Sequence, residues 1–354
     1  MLYRENGQFK SSYVSDQQML PILQDRAFMI GLLVFAFAAV PLIASDYLFL
    51  SLLIPFLILT LAAIGLNLLV GYCGQISIGH AAFMAVGAYA AYNLALRIPQ
   101  LNFLVVLVLA GLIAAAVGML FGIPSLRIKG LYLAVATLAA QFFSDWLFAR
   151  VKWFTNYAHS GSVQTAPVEI FGWRIDTPAE KYVFLLAILI VFTLLAKNLV
   201  RSHIGREWMA MRDMDVAAEV IGIRPVYAKL TAFAVSSFYC GVAGALWGFV
   251  HLGSWEPLAF SLTLSLNLLF MIIIGGMGSL LGCYFGAAFI VVLPILLNQA
   301  PAWLGLPLST AMASHLELMI FGALIVFFLI VEPHGLARLW AIGKEKLRLW
   351  PFPH

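Results

Sequence analysis

The residues that most often carry chemistry in proteins are scattered along this chain. The seven histidines are far apart, and no two lie at positions i and i+4, so the H-E-x-x-H pattern of zinc sites is absent. Cys73, Cys240 and Cys283 form no C-x-x-C pair and are expected to be small packing residues. No G-x-x-x-x-G-K-[ST] loop occurs, so the chain does not hydrolyse ATP through a Walker motif. We therefore predict no catalytic residue, no metal site and no bound cofactor.

Two glycine-rich segments combine helix-breaking residues with polar side chains. The first is GYCGQISIGH at residues 71–80, and the second is GGMGSLLG at residues 275–282. Irregular backbone at membrane depth is tolerated only where protein or a water-filled cavity satisfies its polar groups. We predict that both segments are breaks in helices and border a translocation route; the first side of this route comprises Asn67, Gly71, Gly74, Gln75, Ser77, Gly79 and His80, and the opposing wall Gly275, Gly276 and Ser279. The alternative is close helix packing through small residues.

A charged island at residues 205–228, GREWMAMRDMDVAAEVIGIRPVYA, interrupts the apolar sequence. It holds seven charged side chains, whereas the next strongly charged patch is the C-terminal tail. The pattern predicts two short helices, Arg206–Met211 and Val216–Ile221, the second of which is capped by Asp213 or Asp215. The glycine at 222, with the proline at 225 just beyond it, marks the end of this second helix.

Such an island favours contact with a soluble partner. Trp208, Met209 and Met211 offer apolar contacts beside the charges, as in helix-in-groove recognition. The alternative is an amphipathic helix that lies on the lipid surface. Anionic headgroups would repel acidic residues such as Asp213 and Asp215, which favours the protein partner.

The elements that must position these residues are membrane spans. The chain is 63% hydrophobic and 10% charged, with a mean hydropathy of +0.98, which is too apolar for a soluble domain of 354 residues. Apolar runs of about 20 residues are long enough to cross a hydrocarbon core. They predict an all-α polytopic membrane protein with about ten spans: Ala27–Ala44, Leu48–Val70, Ile78–Leu96, Asn102–Gly122, Leu131–Phe148, Tyr182–Leu199, Leu230–Val250, Ser261–Ile274, Leu280–Gln299 and His315–Val331.

The distribution of positive charge predicts the orientation of these spans. With ten spans, fifteen of the 20 Lys and Arg residues fall on the side of the charged island, which makes that side cytoplasmic. Both termini then lie in the cytoplasm. The predicted organisation is an N-terminal segment 1–26, a transmembrane domain 27–332 and a C-terminal tail 333–354. Within the transmembrane domain, residues 150–181 form an extracytoplasmic loop and residues 201–228 a cytoplasmic one.

The extracytoplasmic loop mixes charged and aromatic residues. A polar rim around aromatic anchors suits reversible docking of a protein. We predict Lys152 and Arg174 as docking residues. The alternative is a lid that packs on its own subunit.

Several segments together resemble one known family. They are RSHIGREWMAMRDMDVAAEVIGI with KLTAFAVSSFYCGVAGAL, LNLLVGYCGQISIGHAAFMAVGAYAA, GIPSLRIKGLYLAVATLA, IIIGGMGSLLGCYFGAA and VEPHGLARLW. In these segments, the chain is similar to permease subunits of branched-chain amino acid (LIV-type) ABC importers. The resemblance implies that the island is a coupling loop seated in a cleft of a soluble ATPase. The residues implied in this coupling are Gly205, Arg206, Trp208, Arg212, Asp213, Asp215, Ala217, Ala218 and Gly222.

The resemblance also implies partners and a location. The implied partners are a second homologous permease, two cytoplasmic ATPase subunits that use ATP and Mg²⁺, and a periplasmic substrate-binding protein. The implied location is the bacterial inner membrane, and no nucleic acid is expected as a partner. Val216 departs from the acidic residue that opens the family's coupling motif, and Cys283 replaces the proline that follows its last glycine-rich motif. The expected cargo is a branched-chain or related hydrophobic amino acid. Aromatic or hydrophobic carboxylates and urea or short amides remain alternatives, and an ion-coupled secondary transporter is the alternative from a different class.

Overall fold

The structure is a computed structural model that describes Ser12 and residues 23–126, 130–158, 161–303, 310–331 and 335–349. Most of the predicted segment 1–26 and both ends of the predicted tail 333–354 lie outside these residues. The predicted domain boundaries stay predictions.

Helices make up most of the described chain. The first half contains α1 (Leu23–Val34), α2 (Val40–Ile43), α3 (Asp46–Leu48), α4 (Ile54–Asn67), α5 (His80–Arg97), α6 (Phe103–Gly122) and α7 (Leu131–Arg150). The second half contains α8 (Pro178–Arg201), α9 (His203–Asp213), α10 (Asp215–Val220), α11 (Pro225–Leu246), α12 (Leu262–Gly275), α13 (Leu280–Trp303), α14 (Thr310–Val331) and α15 (Gly335–Leu349). Short π-helical segments extend several of them, at Phe35–Ala39, Phe49–Leu53, Leu68–Tyr72 and Trp247–Leu252.

Local sequence explains where the helices begin. The side chain of Asn102 caps α6 by accepting a hydrogen bond from the Leu104 N–H at 2.9 Å. Thr177 and Glu180 form a reciprocal capping box at the start of α8. Pro225 is the first residue of α11, where its missing N–H costs no helical hydrogen bond.

The membrane spans largely match the prediction. Among the described residues, eight helical segments are long and apolar enough to cross a membrane: Asp25–Ile43, Asp46–Tyr72, Phe103–Gly122, Tyr132–Arg150, Pro178–Arg201, Pro225–Leu252, Pro257–Gly275 and Leu280–Leu297. The other two predicted spans coincide with α5 and α14. The protein is therefore a polytopic helical membrane protein, for which ten spans is an approximate count.

Small residues bring the central helices into close contact. Helix α11 packs against α4, α5 and α6. A Cβ added to Gly87 on α5 would overlap the backbone of Gly241 on α11, and a Cβ on Gly241 would overlap Ala114 on α6. The three backbones approach closely because these positions lack large side chains, as is common between membrane helices.

Within the described ranges, four short strands lie between the helices. β1 (Val163–Gln164) pairs antiparallel with β4 (Ser254–Trp255), and β2 (Glu169–Ile170) pairs with β3 (Trp173–Arg174) in a hairpin. Helix α8 starts just after this hairpin and leads directly to α9. Because its 24 residues span about 36 Å, the hairpin and α9 lie at opposite ends of the helix bundle.

Candidate functional site

The first predicted break is an irregular segment that enters the interior of the bundle. It connects the π-helical turn Leu68–Tyr72 to the start of α5. His80, the first residue of α5, contacts Ser236 on α11, with 2.8 Å between Nε2 and Oγ. Ser236 lies eleven residues after the first residue of α11, which corresponds to a rise of about 16 Å along the helix. Helix α5 therefore begins well inside the bundle.

The polar groups of this segment are satisfied by protein. The hydroxyl of Ser77 lies 2.8 Å from the other ring nitrogen of His80, Nδ1. The N–H of Ile78 donates to Oγ1 of Thr137 on α7 at 3.0 Å, and the N–H of Ala81 donates to Oγ of Ser265 on α12 at 2.8 Å. The break is thus held by three other helices.

A glutamine on α7 completes this network. The Oε1 atom of Gln141 accepts from the Ser265 hydroxyl at 3.0 Å, and its Nε2 atom donates to the Phe260 carbonyl at 2.8 Å and to Asp145 at 3.0 Å. Sequence reasoning missed Thr137 and Gln141. Their spacing of four residues on one face of the least hydrophobic candidate span is the signal that could have identified them.

The second predicted break contacts the first directly. Asn67 at the end of α4 is fully buried. Its Oδ1 atom accepts from the Gly278 N–H and its Nδ2 atom donates to the Ser279 carbonyl, both at 2.9 Å. A Cβ on Gly71 would overlap Gly278. The two segments that we predicted as opposing walls are therefore bonded to each other in this conformation.

Burial divides the predicted route residues into two groups. Ser77 and His80 are each 1% exposed, so protein satisfies their polar groups in this conformation, and their place along a translocation route stays a prediction. Gln75 is half-buried and Gly74 is exposed. The buried group comprises Asn67, Gly71, Ser77, Gly79, His80, Gly275 and Gly276, and Ser279 is half-buried.

The charged island forms α9 and α10, in agreement with the predicted pair of short helices, although their boundaries differ. Helix α9 starts at His203, and α10 runs from Asp215 to Val220. The predicted cap is wrong, because Met214 occupies the cap position and makes no side-chain cap. Gly222 follows with a φ of +95°, which favours glycine.

The orientation of α9 requires a correction to the predicted contact residues. Trp208 is fully buried, and its Nε1 atom donates to Oγ1 of Thr231 on α11 at 3.1 Å. Met211 is also buried, as are Gly205 and Ala218. The side chains of Trp208 and Met211 pack inward and attach α9 to its own bundle, so neither is exposed for contact with a partner.

A different apolar set is exposed on the island. Met214, Val216, Val220 and Ile221 have exposed fractions of 68%, 65%, 83% and 75%. Ala217 is exposed beside them. We call these five residues, which lie on α10 and directly on either side of it, the α10 apolar face; sequence reasoning placed Val216 and Ala217 in the coupling motif but did not single out the other three.

Arg212 connects the island to the first break. Its Nη1 atom donates to the Gly71 carbonyl at 3.0 Å, and its Nε atom donates to the Asp213 carboxylate at 2.9 Å. Arg206 instead donates to the nearby Arg201 carbonyl at 3.3 Å. Only one of these two predicted contact arginines therefore reaches into the helix bundle.

At the opposite end, the hairpin β2–β3 presents exposed aromatic rings. Phe171, at the turn, is 86% exposed and has a φ of +50°, and Trp173 is 68% exposed. The Nε atom of Arg174 lies 3.6 Å from Oε1 of Glu169 and 3.8 Å from Oδ2 of Asp176. Lys152 is exposed, in the turn that follows α7.

The described ranges bring no three His, Cys, Asp or Glu side chains together as a possible metal site. All three cysteines are free and buried.

Comparisons with known proteins agree with the architecture. The model of the family described as "Branched-chain amino acid transport system / permease component" matches residues 48–329. The chain is 29% identical over 340 residues to the high-affinity branched-chain amino acid transport system permease protein LivM of Escherichia coli K12, covering 89% of this chain and 75% of that protein. It is 30% identical over 306 residues to LivM of Salmonella typhimurium LT2, and this match covers 79% of this chain and 68% of that protein. No solved structure matches.

The matched region includes both breaks, the network around His80 and the charged island with its α10 apolar face. With most of its length matched by that family and with the helical membrane architecture described above, the chain belongs to the permease components of branched-chain amino acid transport systems, the LIV-type ABC permeases.

Proposed function

We propose that this permease forms part of an ABC importer for branched-chain or related hydrophobic amino acids, and that ATP hydrolysis by separate subunits drives alternating access. The names of the two relatives support the cargo. The absence of a Walker motif from the sequence supports assigning ATP and Mg²⁺ to partner chains.

The α10 apolar face is the observation that carries the proposal. A cluster of exposed apolar side chains on a short helix, flanked by Asp213 and Glu219, fits a groove on a protein partner. The buried face of α9 attaches the cluster to α11, so a force that a partner applies to the cluster is transmitted to the helix bundle. We assign this face to the ATPase, together with the flanking coupling residues Arg206, Asp215 and Gly222.

The proposal extends to the remaining partners and to the orientation. The island lies on the cytoplasmic side, as do both termini, and the hairpin β2–β3 faces the periplasm of a bacterial inner membrane. A second homologous permease completes the membrane unit, two ATPase subunits bind on the cytoplasmic side, and a substrate-binding protein delivers cargo to the periplasmic side. The excess of Lys and Arg on the island side supports this orientation.

The two breaks are the proposed boundary of the route. They are held together by hydrogen bonds between a few side chains and backbone groups, so a modest displacement of α4 relative to α12 and α13 would separate them. The exposed Gly74 and the half-buried Gln75 are the most accessible part of this boundary in the present conformation, beside Arg212 of the island.

Reconstitution tests the coupling assignment. The double variant Val216→Asp and Val220→Asp places two charges on the α10 apolar face and should abolish co-purification of the ATPase subunits. Phe171→Asp, which alters an equally exposed apolar side chain at the opposite end, is the matched control and should retain co-purification. Retained binding of the ATPase by the double variant would contradict the assignment.

Transport assays test the class of machine and its cargo. Proteoliposomes that contain the permease pair, the ATPases and a binding protein should accumulate leucine, isoleucine or valine only with ATP inside. Uptake by this chain alone, driven by an ion gradient, would identify a secondary transporter instead. Competition by aromatic carboxylates or urea would reveal the alternative cargoes.

The periplasmic loop has its own test. Lys152→Glu should raise the concentration of binding protein needed for half-maximal ATPase stimulation, because it reverses an exposed charge on the proposed docking surface. Arg174→Glu should act in the same direction, with an added effect from its lost contacts to Glu169 and Asp176. An unchanged titration would favour a lid function for this loop.

A further inference from the structure

We propose that Arg212 is a positioning residue that transmits movement of the docking helix α10 to both breaks in the transmembrane helices. This inference rests on the proposed function, because it assumes that the ATPase binds the α10 apolar face. It differs from the expectation that Arg212 is itself a contact for the ATPase.

The guanidinium of Arg212 joins two parts of the chain that are far apart in sequence. On one side, its Nε and Nη2 atoms contact the carboxylate of Asp213, the last residue of α9, at 2.9 Å and 2.8 Å, two residues before α10 begins. On the other side, its Nη1 atom donates to the Gly71 carbonyl at 3.0 Å. Hydrogen bonds that involve a charged group are the stronger ones, and arginine keeps its charge at any physiological pH.

Two further glycines lie against the side chain of Arg212, one beside its aliphatic part and the other beside its guanidinium. A Cβ on Gly74 would lie 3.0 Å from Cγ and 3.2 Å from Cα of Arg212, so the first break rests against both the side chain and the backbone of α9. A Cβ on Gly278 would lie 3.4 Å from Nη1, which places the second break beside the same guanidinium.

Asn67 extends this contact from one break to the other. It bonds to Gly278 and Ser279 from the end of α4, one helical turn before Gly71. A displacement of α10 that moves Asp213 would therefore act first on Arg212, then on the end of α4 through Gly71, and finally on the turn between α12 and α13. This is a continuous set of direct contacts through which coupling between the two sites can travel.

The test is the ratio of substrate transported to ATP hydrolysed by the reconstituted complex. Arg212→Met removes every donor and the charge but keeps the apolar stem that packs on Gly74. We expect the complex to assemble and the ratio to fall about 10-fold, within the range of 5–150-fold that is typical of coupling between sites. Arg212→Lys, which keeps one charged donor, should lie between this variant and the wild type.

The matched control is Arg338→Met on α15, an exposed arginine that undergoes the same substitution. It should leave the ratio unchanged. An equal decrease in the control would assign the effect to the loss of positive charge, and an unchanged ratio in Arg212→Met would overturn the inference. Loss of ATPase co-purification by Arg212→Met would also overturn it, since Arg212 would then be a docking contact.

If Arg212→Met fails to fold, Gly74→Ala disturbs the same contact from the other side and is expected to lower the ratio in the same direction. An assembled Gly74→Ala complex with a wild-type ratio would then refute the inference. Failure of the proposed function is distinguishable, because the wild-type complex itself would then lack ATP-dependent uptake.

Discussion

Replacing Asn67 with leucine tests how firmly the two breaks are held together. The side chain is fully buried and bonds to two backbone groups of the second break, the Gly278 N–H and the Ser279 carbonyl. Leucine has the same branching but is bulkier, so no cavity is left and any overpacking adds to the loss. A fully buried backbone group that loses its partner costs about 1–3 kcal/mol; because both groups are only part-buried, about 2–6 kcal/mol is the upper limit of the loss in folding free energy.

Thr60→Val on the same helix is the matched control. Thr60 is equally buried, but its hydroxyl donates only to the Phe56 carbonyl of its own helix, at 2.6 Å. The expected loss is about 1 kcal/mol. Asn67→Asp keeps the acceptor for Gly278 but faces the Ser279 carbonyl with a second acceptor, so it should destabilise as well.

Thermal unfolding of the detergent-solubilised protein provides the assay. The three cysteines are free and buried, so a thiol-reactive fluorophore reports their exposure on unfolding. The midpoint should fall several times further for Asn67→Leu than for Thr60→Val. Equal shifts would show that the hydrogen bonds of Asn67 between the two breaks contribute little to stability. The proposal that these bonds hold the breaks together along the route would then lose its support.

Three further outcomes follow from packing. Gly87→Leu should prevent accumulation of folded protein, as judged by size-exclusion chromatography. Gly31→Leu, at a position where an added Cβ meets open space, should behave as wild type. The reverse order would refute the close packing of α5 on α11. Trp208→Ala should lower the free energy of unfolding by about 3–5 kcal/mol, and a near-neutral effect in denaturant titrations would contradict its burial. In a background without native cysteines, Gln75→Cys should react with a water-soluble maleimide much faster than Ser77→Cys, and similar rates would show that the network around Ser77 opens readily.

The local features of the site were predictable from sequence because they depend on residues close together in the chain. Gly222 and Pro225 mark the end of α10 and the start of α11 by backbone preference alone. The glycine-rich strings identified both interruptions of the helices for the same reason. The spans followed from length and hydropathy, which the membrane imposes.

The partners of those features were not predictable. Gln141 bonds to Phe260, 119 positions away, and Asn67 bonds to Gly278, 211 positions away. Nothing in one sequence specifies such pairs. The orientation of Trp208 was missed for a related reason: an amphipathic helix shows which residues share a face, but the sequence does not tell whether that face meets the chain's own bundle or a partner.

The central place of α11 has a consequence for biogenesis. The helices α5 and α6 are complete by Gly122, yet the surface that their small residues fit lies on α11, which ends at Leu246. At synthesis rates of about 5–20 residues per second, the earlier helices wait roughly 6–25 seconds for it. During that interval Gly87 and its neighbours face lipid, insertion machinery or other unfinished chains. Ribosome pausing before residue 246 would lengthen this interval, and a chaperone that shields these helices would cover their small residues during it.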